Sequence, residues 1–568
     1  MLSSYKYVTQ LFYLVANFIR TLFLAGLKLP TKITLSTSAF SFFLALTLVL
    51  FYNLSLWDNV LSLPYPFSLW NVGFYLSFFV FLVTVINILL VATAFRYLQK
   101  PLVILVLMLA AGASYFMDTY GIMIDRDMVQ NTLETDMTEA TELLSVKLIA
   151  YIVFLGIVPS IIVWQIKIKQ NSLPRELVSR LINVVVSVLI ISIIAAIFYQ
   201  DYASFFRNNR YVRHLVNPVN FIYATASYTS RTLSAENIPL QAIALDAKKS
   251  TIASANGHPN LTVLVVGEAA RAANFSLNGY ERKTNPNLEK QNIVNFSNAS
   301  SCGTATAVSV PCMFSQFERS DYSHAKSKEF EGLLDVLARV GVSVLWRENN
   351  SGCKGTCDRV PTDQLSNMKD EHLCNSKECF DEILLHKLDE KIEGLDKDVF
   401  IVLHQKGSHG PAYYQRYPQS FEQFTPVCET NQLQNCTQQE IINAYDNTLL
   451  YTDHFLNEVI EFLTRQSASY NTSMIYLSDH GESLGENNIY LHGAPYFIAP
   501  KEQTHIPFLM WFSDEYQAAN QVDVSCLQAK SQQPVSQDYL FHSILGLSNI
   551  TTNSYKEEFD VFNSCRKN

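Results

Sequence analysis

Five stretches within the first 200 residues are long and apolar enough to cross a lipid bilayer, and nothing else in the chain restricts its architecture as much. A span needs about 20 mostly apolar residues to cover a hydrocarbon core of about 30 Å. Residues 36–56, 69–94, 102–120, 148–164 with their flanks, and 181–199 satisfy this. The connections give the spans a direction. Lys6, Arg20, Lys28 and Lys32 precede the first. Arg96 and Lys100 lie between the second and third, and Lys167, Lys169, Arg175 and Arg180 between the fourth and fifth. The opposite connections are acidic, with Asp58 in one and Asp125, Asp127, Glu134, Asp136, Glu139 and Glu142 in the other; Arg126 and Lys147 are the exceptions. Basic loops stay in the cytoplasm. The N-terminus is therefore expected inside and everything beyond residue 200 outside. Residues 7–27 are apolar too, but Arg20 near their middle and basic residues at both ends favour an interfacial helix over a sixth span. No small-residue cleavage site follows them, which argues against a removed signal peptide.

The rest of the chain has a different character. All ten cysteines, from Cys302 to Cys565, fall in it, as suits an oxidising compartment. Their spacing suggests local bridges of Cys302 with Cys312, Cys353 with Cys357, Cys374 with Cys379 and Cys428 with Cys436. Cys526 and Cys565 remain as a possible fifth pair, and spacing alone does not establish connectivity. A zinc–thiolate site is the competing use, and the irregular spacing argues against it. With 16% charged residues and a net charge of −9, the whole chain is neither a disordered polyelectrolyte nor a basic nucleic-acid binder. Three regions result: a transmembrane domain over 1–200, an amphipathic linker over 201–258 and a globular domain over 259–568. Within the linker, residues 202–215 mix aromatics with Arg207, Arg210, Arg213 and His214. That pattern suits a helix on a membrane surface or a solvated connector.

In the globular domain, short apolar runs at 261–266, 342–346, 399–403 and 474–477 read as buried parallel strands. Residues 331–340 and 439–465 have the period of helices, so an α/β domain around a mostly parallel sheet is expected. Polar residues follow each run: Glu268; Asn349 and Asn350; His404 and His409; Asp479 and His480. In open α/β sheets the site gathers at the carboxyl ends of strands. Glu268, Asp479 and His480 offer the oxygen and nitrogen donors that suit a catalytic zinc, which polarises a phosphoryl oxygen as a Lewis acid. The segment CGTATAVSVPCMF (302–314) supplies hydroxyls at Thr304, Thr306 and Ser309 near a helix start, where anions are favoured. His409 and His492, each in an HG dipeptide, and Lys354, on a loop between two cysteines, are further candidates to meet a phosphate.

Longer motifs carry a resemblance. GEAARAANFSLNGY (267–280), SCGTATAVSVPCMFS (301–315), LWRENNSGCKGTCDRVP (345–361), LHQKGSHGPAYYQRYP (403–418), FTPVCE (424–429), INAYDN (442–447) and SDHGESLGENNIYLHG (478–493) occur in order. Together they resemble the phosphoethanolamine transferases that modify lipid A, the chromosomal and the mobile colistin-resistance enzymes alike. The resemblance implies a five-helix transmembrane domain followed by an α/β domain of alkaline-phosphatase/sulfatase type with one zinc. It implies a bacterial inner-membrane, multi-pass protein, acting as a monomer, with its catalytic domain in the periplasm. Thr306 becomes the nucleophile, and Glu268, Thr306, Asp479 and His480 the zinc ligands. Asn350, Lys354, His409 and His492 become substrate-binding residues, the two histidines with a catalytic part. The implied reaction moves phosphoethanolamine from phosphatidylethanolamine to a phosphate of lipid A through a phosphoethanolamine–threonine intermediate. Diacylglycerol is released and affinity for cationic polymyxins falls. Transfer to a heptose or Kdo sugar of the lipopolysaccharide core is the alternative. One departure stands out: where the family usually reads GETxR this chain has GEAAR, so Ala269 lacks a hydroxyl that would support the zinc shell.

Overall fold

The computed structural model describes residues 33–566 apart from 64–65, 136, 170, 236–238, 251–256 and 376, so the expected interfacial helix at 7–27 lies outside the described residues. Two units form. One takes in the chain up to Thr119 together with Ser145–Ile222; the other combines Tyr120–Leu144 with Tyr223–Asn568.

The first unit is helical. Leu69–Ala92, Gln99–Tyr120, Val146–Gln165 and Leu173–Asn208 are each long and apolar enough to cross a membrane. A fifth crossing exists if the pair Thr37–Phe51 and Leu54–Leu61, bent by 60°, counts as one span. The first expected span is thus not one straight helix. Hydropathy runs on through residue 56, but Asn53 interrupts it. Its Nδ2 donates to the Leu48 carbonyl at 2.9 Å and to the Asn217 carbonyl at 2.7 Å, and its Oδ1 accepts from the Asn217 amide at 2.8 Å. Serine side chains cap the starts at Ser36, Ser68 and Ser145, satisfying amides that lipid cannot. Leu173–Asn208 extends well past the expected 181–199, with a kink at Phe198. It carries exposed Leu181, Val185 and Leu189, a surface fit for lipid. Its end takes up part of the expected linker, where Phe205, Val212 and Leu215 are fully buried while Arg207 and Arg213 stay exposed.

The second unit is built on an eight-stranded mixed sheet. In chain order the strands are β1 (Asn260–Gly267), β2 (Val294–Ser300), β3 (Ser343–Glu348), β4 (Thr362–Gln364), β5 (Val399–His404), β6 (Asn471–Ser478), β7 (His505–Phe512) and β8 (Val535–Ser536). Their spatial order is β8-β2-β7-β6-β1-β5-β3-β4, and only β7 runs against its neighbours. The continuous apolar runs of β1, β5 and β6 are buried on both faces, as a sheet covered by helices requires. Register matters most at the carboxyl edge: Gly267 pairs with Ser478, Val266 with His404, and His404 with Glu348. Four adjacent strands therefore end level. The helix expected over 439–465 is Gln438–Gln466, started by a capping box of Thr437 and Glu440. The one expected over 331–340 is shorter, Leu333–Arg339, because the Asp335 carboxylate accepts from the Gly332 amide and sets the start there. All ten cysteines are bridged, eight of them in the four expected pairs and Cys526 with Cys565 in the fifth that the spacing left open.

Candidate metal centre and active site

Glu268 leaves the end of β1 and Asp479 and His480 leave the end of β6, the neighbouring strand. Ala269, at φ +55°, turns the chain back so that its amide donates to Asp479 Oδ1 at 3.1 Å. Its carbonyl accepts from the Tyr445 hydroxyl at 2.8 Å. The fold brings Glu268, Asp479 and His480 so close that one donor atom from each lies within 4.8 Å of the others. His480 Nε2 stands 3.4 Å from Glu268 Oε1 and 3.3 Å from Asp479 Oδ2. On its far side Nδ1 is 2.8 Å from the Gly481 carbonyl, which fixes the proton there and leaves Nε2 free as a donor to a cation.

Of the three candidate hydroxyls, only Thr306 reaches this cluster. Its Oγ1 lies 3.0 Å from Glu268 Oε2 and 3.3 Å from His480 Nε2. Thr304 donates instead to the Ala494 carbonyl at 2.7 Å, and Ser309 accepts from the Gly303 amide at 3.0 Å. Thr306 is the first residue of the helix Thr306–Met313, and the Cys302–Cys312 bridge ties the turn before it to the helix.

The electrostatics are those of a site built for a cation. All four groups are buried. Burial raises Asp479 to about 6, with the like charge of Glu268 adding to the effect. Two oxygens, Glu268 Oε1 and Asp479 Oδ2, have no hydrogen-bond partner. Leaving bare carboxylate oxygens in a dry interior is costly unless a cation meets them. Two carboxylates, one imidazole nitrogen and one hydroxyl make a four-donor oxygen/nitrogen set of the kind zinc accepts.

Around this cluster lie the remaining candidates. Asn350, after β3, donates from Nδ2 to Glu268 Oε2 at 2.6 Å. His492 packs on His480 with ring centroids 4.4 Å apart and on His409 at 5.3 Å. Its Nδ1 meets Glu482 Oε2 at 2.9 Å. Burial disfavours its cation, yet the surrounding carboxylates, Glu482 first and then Glu268 and Glu139, together raise it to about 9. His409 Nε2 pairs with Glu139 Oε1 at 3.2 Å, and that carboxylate lifts His409 above its ordinary range against the pull of burial. The loop carrying His409 is pinned by Asp381, which accepts from the Lys406 amide at 2.7 Å and the Gly407 amide at 2.9 Å. Gly407, at φ +54°, passes so near Glu268 that a Cβ would stand 2.6 Å from its carbonyl oxygen. Lys354 is held differently: its ammonium donates to the Ser351 carbonyl and hydroxyl and to the Glu134 carbonyl, each at 3.1 Å.

The segment 120–144 belongs to this unit, and it touches the loops of several site residues. Gln130 donates to the Ala307 carbonyl at 3.1 Å, next to Thr306. Glu134 meets Lys354, Glu139 meets His409, and Glu142 pairs with buried Arg416 at 2.5 Å. These partners had only one trace in the sequence, the acidic run itself. A cavity of about 190 Å³ flanks the Thr304–Val308 turn, with Arg126, Gln130, Arg319, His324 and Tyr496 in its wall.

Residues 260–550 match the sulfatase family, and residues 82–233 match the family described as phosphoethanolamine transferase EptA/EptB. Phosphoethanolamine transferase EptA of Escherichia coli K12 is 46% identical over 518 residues, 91% of this chain and 94% of the relative. Phosphatidylethanolamine transferase Mcr-1 of Escherichia coli is 43% identical over 470 residues, 81% of this chain and 86% of the relative. The structure of the integral membrane lipooligosaccharide phosphoethanolamine transferase EptA from Neisseria meningitidis superposes with a TM-score of 0.90 at 40% identity. It covers 94% of this chain and 100% of its own.

Proposed function

This chain belongs to the lipid A phosphoethanolamine transferase family, and from that premise we propose that it transfers phosphoethanolamine from phosphatidylethanolamine to a phosphate of lipid A, with Thr306 as the covalent carrier. The observation that carries the reading is the meeting of Thr306 Oγ1 with Glu268 and His480, beside two partnerless carboxylate oxygens. Glu268, Thr306, Asp479 and His480 would hold a zinc ion, which supplies Lewis-acid polarisation of a phosphoryl oxygen and favours the threonine alkoxide.

The residues of the chain do the rest. Glu268 Oε2 orients the Thr306 hydroxyl. Thr306 Oγ1 forms a bond to phosphorus as the bond to the diacylglycerol oxygen breaks. The hydroxyl proton passes along its hydrogen bond to Glu268 Oε2, and the diacylglycerol oxygen takes its proton from His409 or His492. His409 and His492, whose cations are favoured by Glu139 and Glu482, are the groups placed to meet the transferring phosphoryl group with positive charge and a proton to give. In the second half an oxygen of a lipid A phosphate attacks the phosphothreonine and Thr306 leaves. Lys354 adds a point charge for phosphate from its bridged loop. Both substrates are lipids, which is the use of a membrane domain joined to the catalytic one. Catalysis on the periplasmic side follows from the charge of the connections and agrees with five disulfides.

The test is mass spectrometry of lipid A from cells expressing the chain or its Thr306→Ala variant. Phosphoethanolamine on a lipid A phosphate, present with the first and absent with the second, is the expected result. Addition on core sugars alone would overturn the choice of acceptor.

A further inference from the structure

One buried carboxylate–imidazole pair has no part in the reaction as derived above. Glu348 ends β3 and His404 ends β5, and the parallel register sets them side by side. Both are fully buried. Glu348 Oε2 accepts from His404 Nδ1 at 2.9 Å and from Trp346 Nε1 at 2.8 Å. Its other oxygen accepts from the Asn350 amide at 2.6 Å. Trp346 also packs edge-on against the imidazole, with centroids 5.4 Å apart. Every polar atom of the carboxylate is therefore used. With Nδ1–H committed to Glu348, the ring turns Nε2 toward Asn350 Nδ2, 3.3 Å away.

The Asn350 carboxamide has two N–H groups and one oxygen, and each has a single destination. One N–H goes to Glu268 Oε2 at 2.6 Å and the other to His404 Nε2. The oxygen accepts from the Ser351 amide at 2.8 Å. Rotating the amide by half a turn would set its oxygen against the Glu268 carboxylate. The His404 acceptor opposes that rotation, and Glu348 fixes which nitrogen of His404 is the acceptor.

We propose that Glu348 and His404 are a positioning pair that acts through Asn350, locking its amide so that Glu268 Oε2 is held in place and Glu268 Oε1 stays free for the cation. This inference rests on the reading of Glu268 as a metal ligand. Such outer partners of metal ligands typically matter by about 10- to 100-fold in affinity or activity.

The pair can be tested in the full-length enzyme in detergent by two substitutions that each keep half of the imidazole. Asn at 404 mimics Nδ1 and keeps the contact to Glu348; Gln at 404 mimics Nε2 and keeps the acceptor for Asn350. Metal content after dialysis against a mild chelator and kcat/KM for phosphatidylethanolamine are the readouts. His404→Asn is expected to lose metal and activity about tenfold, and His404→Gln distinctly less. His404→Asn combined with Asn350→Ala should be no worse than Asn350→Ala alone, since one path carries both effects. Equal losses in the two His404 variants, or losses that multiply with Asn350→Ala, would reduce His404 to core packing and overturn the proposal. If His404→Asn does not fold, Glu348→Gln replaces it, with the same coupling to Asn350→Ala expected and its absence equally fatal. Glu268→Gln, run alongside, separates the two levels. Loss of metal there keeps the premise, whereas full metal and activity would remove the metal assignment itself.

Discussion

Asn217 in the helical unit and Asp479 in the sheet unit are both fully buried polar residues, yet their surroundings differ in kind. Asn217 gives its amide nitrogen to the Tyr52 carbonyl at 3.1 Å, the Ala110 carbonyl at 2.9 Å and the Ser114 hydroxyl at 3.0 Å. Its backbone is taken up by Asn53. Asp479 keeps Oδ2 without a partner, beside a second carboxylate with its own bare oxygen. Among the described residues, the buried partnerless side-chain atoms of the helical unit are all on neutral groups: Ser41, Asn87, Thr119 and the Asn217 carbonyl. A neutral orphan costs about 1–3 kcal/mol, whereas a bare buried carboxylate costs several. Polar groups in the first unit hold helices together where lipid offers no hydrogen bonds. At the sheet edge two carboxylate oxygens are left incomplete, which the proposed function assigns to a cation and a substrate.

The strongest way to break this contrast is Thr306→Ala. Transfer should fall by about a thousandfold or more while the protein stays folded, membrane-bound and able to bind metal through the other three ligands. Residual activity near the original level would show that the incomplete cluster serves something other than Thr306. Asp479→Asn should also abolish transfer, but with an opposite effect on the metal-free fold. The new amide can donate to Glu268 Oε1, and one of two like charges disappears. Metal-free Asp479→Asn should therefore melt higher than the metal-free original, by about 1–2 kcal/mol in stability. A lower melting temperature would mean that the carboxylate pair is not strained.

A smaller effect is expected at Glu139. Its carboxylate is what lifts His409 above the ordinary histidine range, since burial alone works the other way. The cation of His409 thus persists to higher pH than that of a free histidine. With Glu139→Gln this support is gone and the pKa falls. The alkaline limb of kcat/KM should shift to lower pH, with a loss of about tenfold on the alkaline side and little change on the acid side. A pH–rate profile whose alkaline limb does not move would show that Glu139 does not tune His409.

The sequence revealed the site where chemistry and strand ends coincide. Glu268, Asp479 and His480 directly follow apolar runs, and the level register of β1, β5 and β6 does the rest. The spacing could not choose among Thr304, Thr306 and Ser309, because the choice depends on the turn after Cys302 and on where Glu268 points. Glu139 was illegible as a partner of His409. It arrives from the connection between two spans, 270 residues away in the chain, and only its acidity hinted at a role. The bend of the first span was hidden for the same reason. Asn53 looks like one polar residue at the end of an apolar run, and its meaning depends on Asn217, 164 positions later.

Asn217→Ala is the mildest test and the one that addresses the helical unit directly. It removes three donor contacts and bares the Tyr52 and Ala110 carbonyls, but the backbone link to Asn53 survives. Interhelical hydrogen bonds in membranes average well under 1 kcal/mol, because the released groups find other partners within the helices. Here several are lost at one point, so a destabilisation of about 1–2 kcal/mol is expected in a detergent melt. The turnover per folded molecule should stay the same, since no atom of the metal cluster is touched. If turnover falls while the melting temperature holds, the knot at Asn217 belongs to the reaction. The division between structural polar groups in the helices and functional ones at the sheet edge would then be wrong.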